Sequence, residues 1–215
     1  MVENILYIVA AYLIGSVPFG YLAGKLNGID LREHGSCNIG ATNAVRVLGK
    51  AWGIPVFVMD FLKGFVPLLC MKNHLGGELA AFSPADMGWF LGMMFALILG
   101  HTFTCFLKFK GGKGVATTGG CLFALSPWVG TAATLFWLGS MVVTRYVSFS
   151  SIMAGVGMML AAGIELWWGD GNYSAADYMV LGLLLLILVL VTWKHRANLV
   201  RIVNGTEPRA FASKK

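Results

Sequence analysis

Charge is scarce in this chain. Only 12% of its 215 residues are Asp, Glu, Lys or Arg, against 57% hydrophobic residues and a mean hydropathy of +0.73. A soluble domain carries roughly 25% charge and shows its apolar residues as periodic stripes, so a water-soluble globule is excluded. Cysteine is sparse too: Cys37, Cys70, Cys105 and Cys121 form no CxxC pair and no Cys/His metal spacing. Free thiols, no metal and no cofactor are therefore expected. The N-terminus lacks the basic run of a removable signal, since Met1 to Asn4 holds Glu3 and no Lys or Arg. That start suits a retained first helix entering from outside. Internal repeats and low-complexity tracts are absent as well.

What the chain does have is uncharged blocks. They run from Asn4 to Gly24, Met87 to Leu107, Gly114 to Thr144, Tyr146 to Ile164 and Tyr178 to Trp193, lengths suited to helices crossing a core about 30 Å thick. Ala51 to Met71 is apolar apart from Asp60 and Lys63. The 31 residues of Gly114 to Thr144 would make a helix of roughly 46 Å, too long for one upright span. Ser126-Pro127 inside that block predicts a break, because proline lacks a backbone donor and restricts the residue before it. The break gives seven helices, with the N-terminus outside and the C-terminus cytoplasmic. Of the 16 basic residues, 14 then fall on inner segments, with Lys63 in the membrane and Lys72 alone outside. Without the break the other fifteen split seven to eight, which orients nothing. The positive-inside rule favours seven. The expected fold class is thus an all-α integral membrane protein, one polytopic domain over residues 1–215, with its functional loops on the cytoplasmic face. Membrane flanks account for the net charge of +6, so nucleic acid is not an expected partner.

Three inner segments gather groups suited to an anion. Gly35 to Gly49 combines glycines, Ser36, Asn38, Thr42 and Asn43 with Arg46. Glycine lets backbone N–H groups converge, Asn or Thr can cap a short helix, and Arg offers a permanent bidentate charge. A tight interhelical turn would use much of the same composition. Phe109 to Thr118 places Lys110, Gly111, Gly112, Lys113 and Gly114 at a helix entrance. It is not a Walker A loop, because Val115 follows the last glycine, yet three glycines and two lysines resemble an anion nest more than a plain basic flank. In the tail, His195, Asn198 and Ile202 share a helical face if the last helix continues; a surface-lying basic helix is the competing reading. Gly205 is a candidate C-cap. Asp60 and Lys63 are spaced to pair on one helix face, for function or for packing. His101 reads as a bonded helix-end histidine.

Together these segments resemble the bacterial membrane glycerol-3-phosphate acyltransferases that use acyl phosphate as donor, the PlsY family. The resemblance rests on Gly35 to Asn43 with Arg46, on Gly100-His101 through Phe106 to Thr117, and on His195 to Asn198 followed by Gly205-Thr206-Glu207. Gly15 to Gly20 and Thr144 to Ser148 extend it along nearly the whole chain. Departures are small: Cys37 stands where the family often has glycine, and Thr104-Cys105 where a proline-containing pair is common.

The resemblance implies a cytoplasmic (inner) membrane enzyme of bacteria that converts glycerol 3-phosphate and acyl phosphate to lysophosphatidic acid and inorganic phosphate. Its partners would be those two substrates and membrane lipid, with the soluble enzyme that makes acyl phosphate as a further candidate. Gly111, Gly112, Lys113 and Gly114 would cradle phosphate with Lys110 as a second charge. Ser36, Asn38, Thr42, Asn43 and Arg46 would bind phosphate and stabilise developing charge. His195 and Asn198 would orient the glycerol hydroxyl, with Ser148 a further candidate. The His-x4-Asp pair of other acyltransferases is missing, since Ile39, Leu79, Phe106 and Val200 stand at the position it requires. An activated donor lessens the demand for a strong base. Ser36 as an acylated nucleophile lacks a base at a recognisable spacing. The runner-up from another class is a transporter of a phosphorylated small molecule, which the missing two-half repeat argues against. A lipid-binding scaffold is the third reading.

Overall fold

A computed structural model describes residues 2–168 and 173–210. Met1, placed at the outer end above, and Lys214 and Lys215, counted on the inner face, lie outside the described residues. Among the described residues there are helices and loops and no strand. In chain order the helices are α1 (Val2–Ser16), α2 (Phe19–Leu26), α3 (Ala41–Leu48), α4 (Lys50–His74), α5 (Pro84–Thr102), α6 (Val115–Leu125), α7 (Pro127–Thr144), α8 (Val147–Trp167), α9 (Ala175–Lys194) and α10 (Arg196–Val203). The chain divides into two compact units, Met1–Leu125 and Ser126–Lys215.

Among the described residues, five segments are long and apolar enough to cross a membrane: Val2–Leu26, Lys50–His74, Pro84–Leu107, Val147–Trp167 and Ala175–Lys194. The break expected at Ser126-Pro127 is present. Ser126 caps α7 by accepting from the Val129 amide, and Pro127 occupies the first helical position, where its missing donor costs nothing. The 11 residues of α6 reach only about 16 Å, short of the apolar core.

Lipid offers no hydrophobic drive between helices, so close backbone approach does the packing. In the first unit, a side chain at Gly15 would strike the Leu97 carbonyl, and one at Gly100 the Tyr12 carbonyl, which seats α1 on α5. Gly64 faces the Thr117 carbonyl and Gly120 the Phe61 carbonyl, seating α4 on α6. Lys72 then caps α6, its ammonium donating to the Ala124 and Leu125 carbonyls at 3.3 and 3.2 Å, where the helix dipole is negative. In the second unit Gly157 accepts the Phe136 ring, closing α7 on α8.

Candidate functional site

The loop from Gly28 to Gly40 is built around Asn43, which is buried in the first turn of α3. Its Oδ1 accepts the Ser36 amide at 2.8 Å, and its Nδ2 lies 2.8, 2.9 and 3.2 Å from the carbonyls of Asn38, His34 and Leu31. Asn38 turns inward as well, accepting the Gly40 amide at 2.8 Å. These two candidates hold the loop; the other three candidates, Ser36 in the loop and Thr42 and Arg46 on α3, are exposed. Thr42 and Arg46, four apart on α3, share one face. Glycine is required at Gly35, where φ is +62° and a side chain would meet Asn43 Oδ1. Asp30 braces the loop from outside, with Arg32 Nη2 at 2.6 Å and the Arg32 amide at 3.0 Å. The Arg32 hydrogen bonds hold its carboxyl down at about 2.

The second loop is reached through a tight turn. Thr104 Oγ1 donates to the Ser16 carbonyl at 2.6 Å and accepts the Phe106 amide at 3.2 Å. Lys108 and Phe109 are both left-handed, at φ +53° and +60°, a conformation costing roughly 1–2 kcal/mol per L-residue. Three glycines follow because nothing larger fits. A side chain at Gly111 would strike the His101 carbonyl, one at Gly112 the His101 ring at Nε2, and Gly114 has φ +80° with Thr102 Oγ1 3.1 Å from where its Cβ would lie. The Gly112 amide donates to the His101 carbonyl at 3.0 Å. Lys110 is exposed and Lys113 half-buried. The opening amides of α6 lack i−4 carbonyls within the helix and present partial positive charge next to them.

The second unit holds the remaining candidates. His195 is buried in the break between α9 and α10, its Nδ1 2.8 Å from the Val191 carbonyl. A carbonyl only accepts, so Nδ1 carries a proton, and whenever the ring is neutral its lone pair is on Nε2. Asn198 and Ser148 converge on Glu207 Oε1, donating at 2.7 and 2.8 Å, while Arg201 Nε donates to Oε2 at 2.8 Å. Burial would raise the Glu207 carboxyl, but the bonds from Asn198, Ser148 and Arg201 bring it below its usual value. Gly205, at φ +70°, ends α10: its amide reaches the Ile202 carbonyl and the Thr206 amide the Arg201 carbonyl, a Schellman ending that aims Glu207 back. The tail continues along Arg145–Ser148, with the Ala210 amide on the Arg145 carbonyl at 2.8 Å and the Arg209 guanidinium 5.5 Å from the Tyr146 ring. Sequence reasoning gave Glu207 and Arg201 no role; the signal available was an acidic residue just past a glycine helix stop.

A helical protein with five segments of membrane-crossing length among its described residues is, by class, a multi-pass membrane protein. The chain belongs to the glycerol-3-phosphate acyltransferase family, whose model matches residues 5–205, and it is an acyltransferase. It is 40% identical over 202 residues to the glycerol-3-phosphate acyltransferase of Aquifex aeolicus (strain VF5), covering 94% of this chain and 96% of that one. It is also 40% identical over 222 residues to that of Bacillus cereus (strain G9842), covering 100% and 99%. Two crystal structures of PlsY, an integral membrane glycerol 3-phosphate acyltransferase, are similar to it. The glycerol 3-phosphate form has a TM-score of 0.83 at 40% identity, and the lysophosphatidic acid form 0.80 at 39%; each covers 96% of this chain and 95% of PlsY.

Proposed function

We propose that this enzyme transfers an acyl chain from acyl phosphate to glycerol 3-phosphate, giving lysophosphatidic acid and inorganic phosphate, the first acylation of phospholipid synthesis. It acts in the bacterial cytoplasmic membrane as one polytopic domain, with seven membrane segments, the N-terminus outside and the active loops inside. The observation that carries this reading is the glycine turn before α6, where side chains are barred at Gly111 and Gly112 and two lysines stand beside a helix entrance. Such a turn suits a phosphate, and both proposed substrates carry one.

The glycerol hydroxyl oxygen attacks the acyl carbon, the bond from that carbon to the phosphate oxygen breaks, and phosphate leaves with the electron pair. Ser36, Thr42 and Arg46 bind phosphate and stabilise the charge that develops on the acyl oxygen, while Asn38 and Asn43 keep their loop in shape. Lys110, Gly111, Gly112, Lys113 and Gly114 hold phosphate. Asn198 and His195 orient the hydroxyl, whose proton passes to His195 or to a substrate phosphate oxygen; Ser148 supports Asn198 through Glu207.

Purified protein in lipid, given glycerol 3-phosphate and acyl phosphate, is expected to release phosphate matched by lysophosphatidate. Ser36→Ala and Lys113→Ala should each lower turnover about 100-fold or more. Folded protein without turnover on acyl phosphate would sink the proposal. Near-normal turnover by His195→Ala would remove His195 as proton acceptor.

A further inference from the structure

Next to the glycine turn lies a charged cluster that the mechanism above leaves unused. Asp60 and Lys63 are buried on α4, the Lys63 ammonium 2.7 Å from Asp60 Oδ1. A pair kept only for packing would need no third member, since each charge offsets the cost of the other. Here the cluster continues. His101, one residue from the end of α5, sets Nδ1 3.4 Å from the same Asp60 oxygen. Its opposite ring edge, at Nε2, is what a side chain at Gly112 would strike, and its carbonyl accepts the Gly112 amide and bars a side chain at Gly111. Beyond the turn, Thr117 Oγ1 in α6 donates to the Asp60 carbonyl at 2.9 Å. Asp60 thus reaches the glycine turn on both sides, through the His101 ring before it and through its own backbone after it. Lys63 also donates to the Val17 carbonyl at 2.8 Å, which fixes the cluster to the end of α1.

We propose that His101 is a positioning residue for the phosphate turn, its ring held under Gly112 by the Asp60–Lys63 pair. The ring sets the height of the Gly112 backbone, and through it the direction of the amides and of Lys113. It touches no reacting atom. The inference rests on the assignment of this turn to a substrate phosphate.

Kinetics in lipid with both substrates varied tests it. Lys113→Ala identifies the substrate the turn binds by the KM it raises. His101→Ala should raise that same KM by about 10- to 100-fold, the cost of a misplacement near 1 Å, and leave the other KM within about twofold. Asp60→Asn combined with Lys63→Met, which removes both charges and strands neither, should raise the same KM about tenfold. The steric arm stands apart from substrate assignment. Gly112→Ala alone should lose nearly all activity, and adding His101→Ala should restore it to the His101→Ala level, because the added methyl takes the space of the ring. His101→Asn, which keeps a donor near Nδ1 and opens that space, replaces His101→Ala if the latter does not fold. Wild-type kinetics in the His101 variants, or no rescue of Gly112→Ala, would overturn the proposal. Failure of both His101 variants to fold would make the ring a packing element and overturn it too. Lys113→Ala without effect would overturn the assignment of the turn, and this proposal with it.

Discussion

Asn43 spends one buried amide on four backbone groups spread over Leu31 to Asn38. Asn43→Ala would remove those four bonds, leaving the His34 carbonyl with only the Cys37 amide, so it is expected to cost about 2–3 kcal/mol of stability and to reduce turnover with Ser36 and Arg46 intact. Thermal unfolding in detergent beside the transfer assay checks both effects; an unmoved midpoint would refute the staple. Cys37 sits at φ +56° in the same loop. A side chain there costs roughly 1 kcal/mol that glycine avoids, partly offset by the greater freedom of glycine in the unfolded chain. Cys37→Gly should therefore unfold no earlier than the parent and keep full activity in the same two assays. The sequence showed that Asn38, Thr42 and Asn43 were hydrogen-bonding groups at a loop. It could not show whether they face a ligand or their own backbone, because composition is the same in both cases.

At the scale of elements, the end of α10 carries the clearest consequence for pH. Glu207 is held below its usual value by Asn198, Ser148 and Arg201. A lowered carboxyl contributes stability that is fully present above its ordinary value near 4.5 and is lost as pH falls through the lower folded one. Acid should thus loosen the pairing of the tail with Arg145–Ser148, and Glu207→Gln should remove that step while lowering the midpoint at neutral pH. Unfolding midpoints of parent and variant measured from pH 7 to about pH 3 check this; parallel curves would refute it. The helix break at Ser126-Pro127, the stop at Gly205 and the Asp60–Lys63 spacing were legible because each is local chemistry within one element. The meetings of His101 with Asp60 and of Ser148 with Glu207 were not. They join residues on different elements, 59 positions apart in the second case, and no period or spacing speaks across such a gap.

For the molecule as a whole, block length and the distribution of basic residues made membrane class readable, because a lipid core imposes one length on every crossing. They could not fix how many segments cross, since α6 is too short to cross as a helix alone. Orientation is testable directly. In right-side-out membranes a charged, impermeant maleimide should label Glu78→Cys, which is exposed between α4 and α5, and should reach exposed Cys37 only after permeabilisation. Labelling of Cys37 in sealed membranes would reverse the proposed topology. The tail that folds back on Arg145–Ser148 also bears on synthesis. Glu207 is the last made of the residues it joins, so its bonds to Ser148, Asn198 and Arg201 form only once the chain beyond α10 has been synthesised. The contacts that tie α8, α10 and the tail together are therefore the last of the second unit to be completed, after its helices have been made.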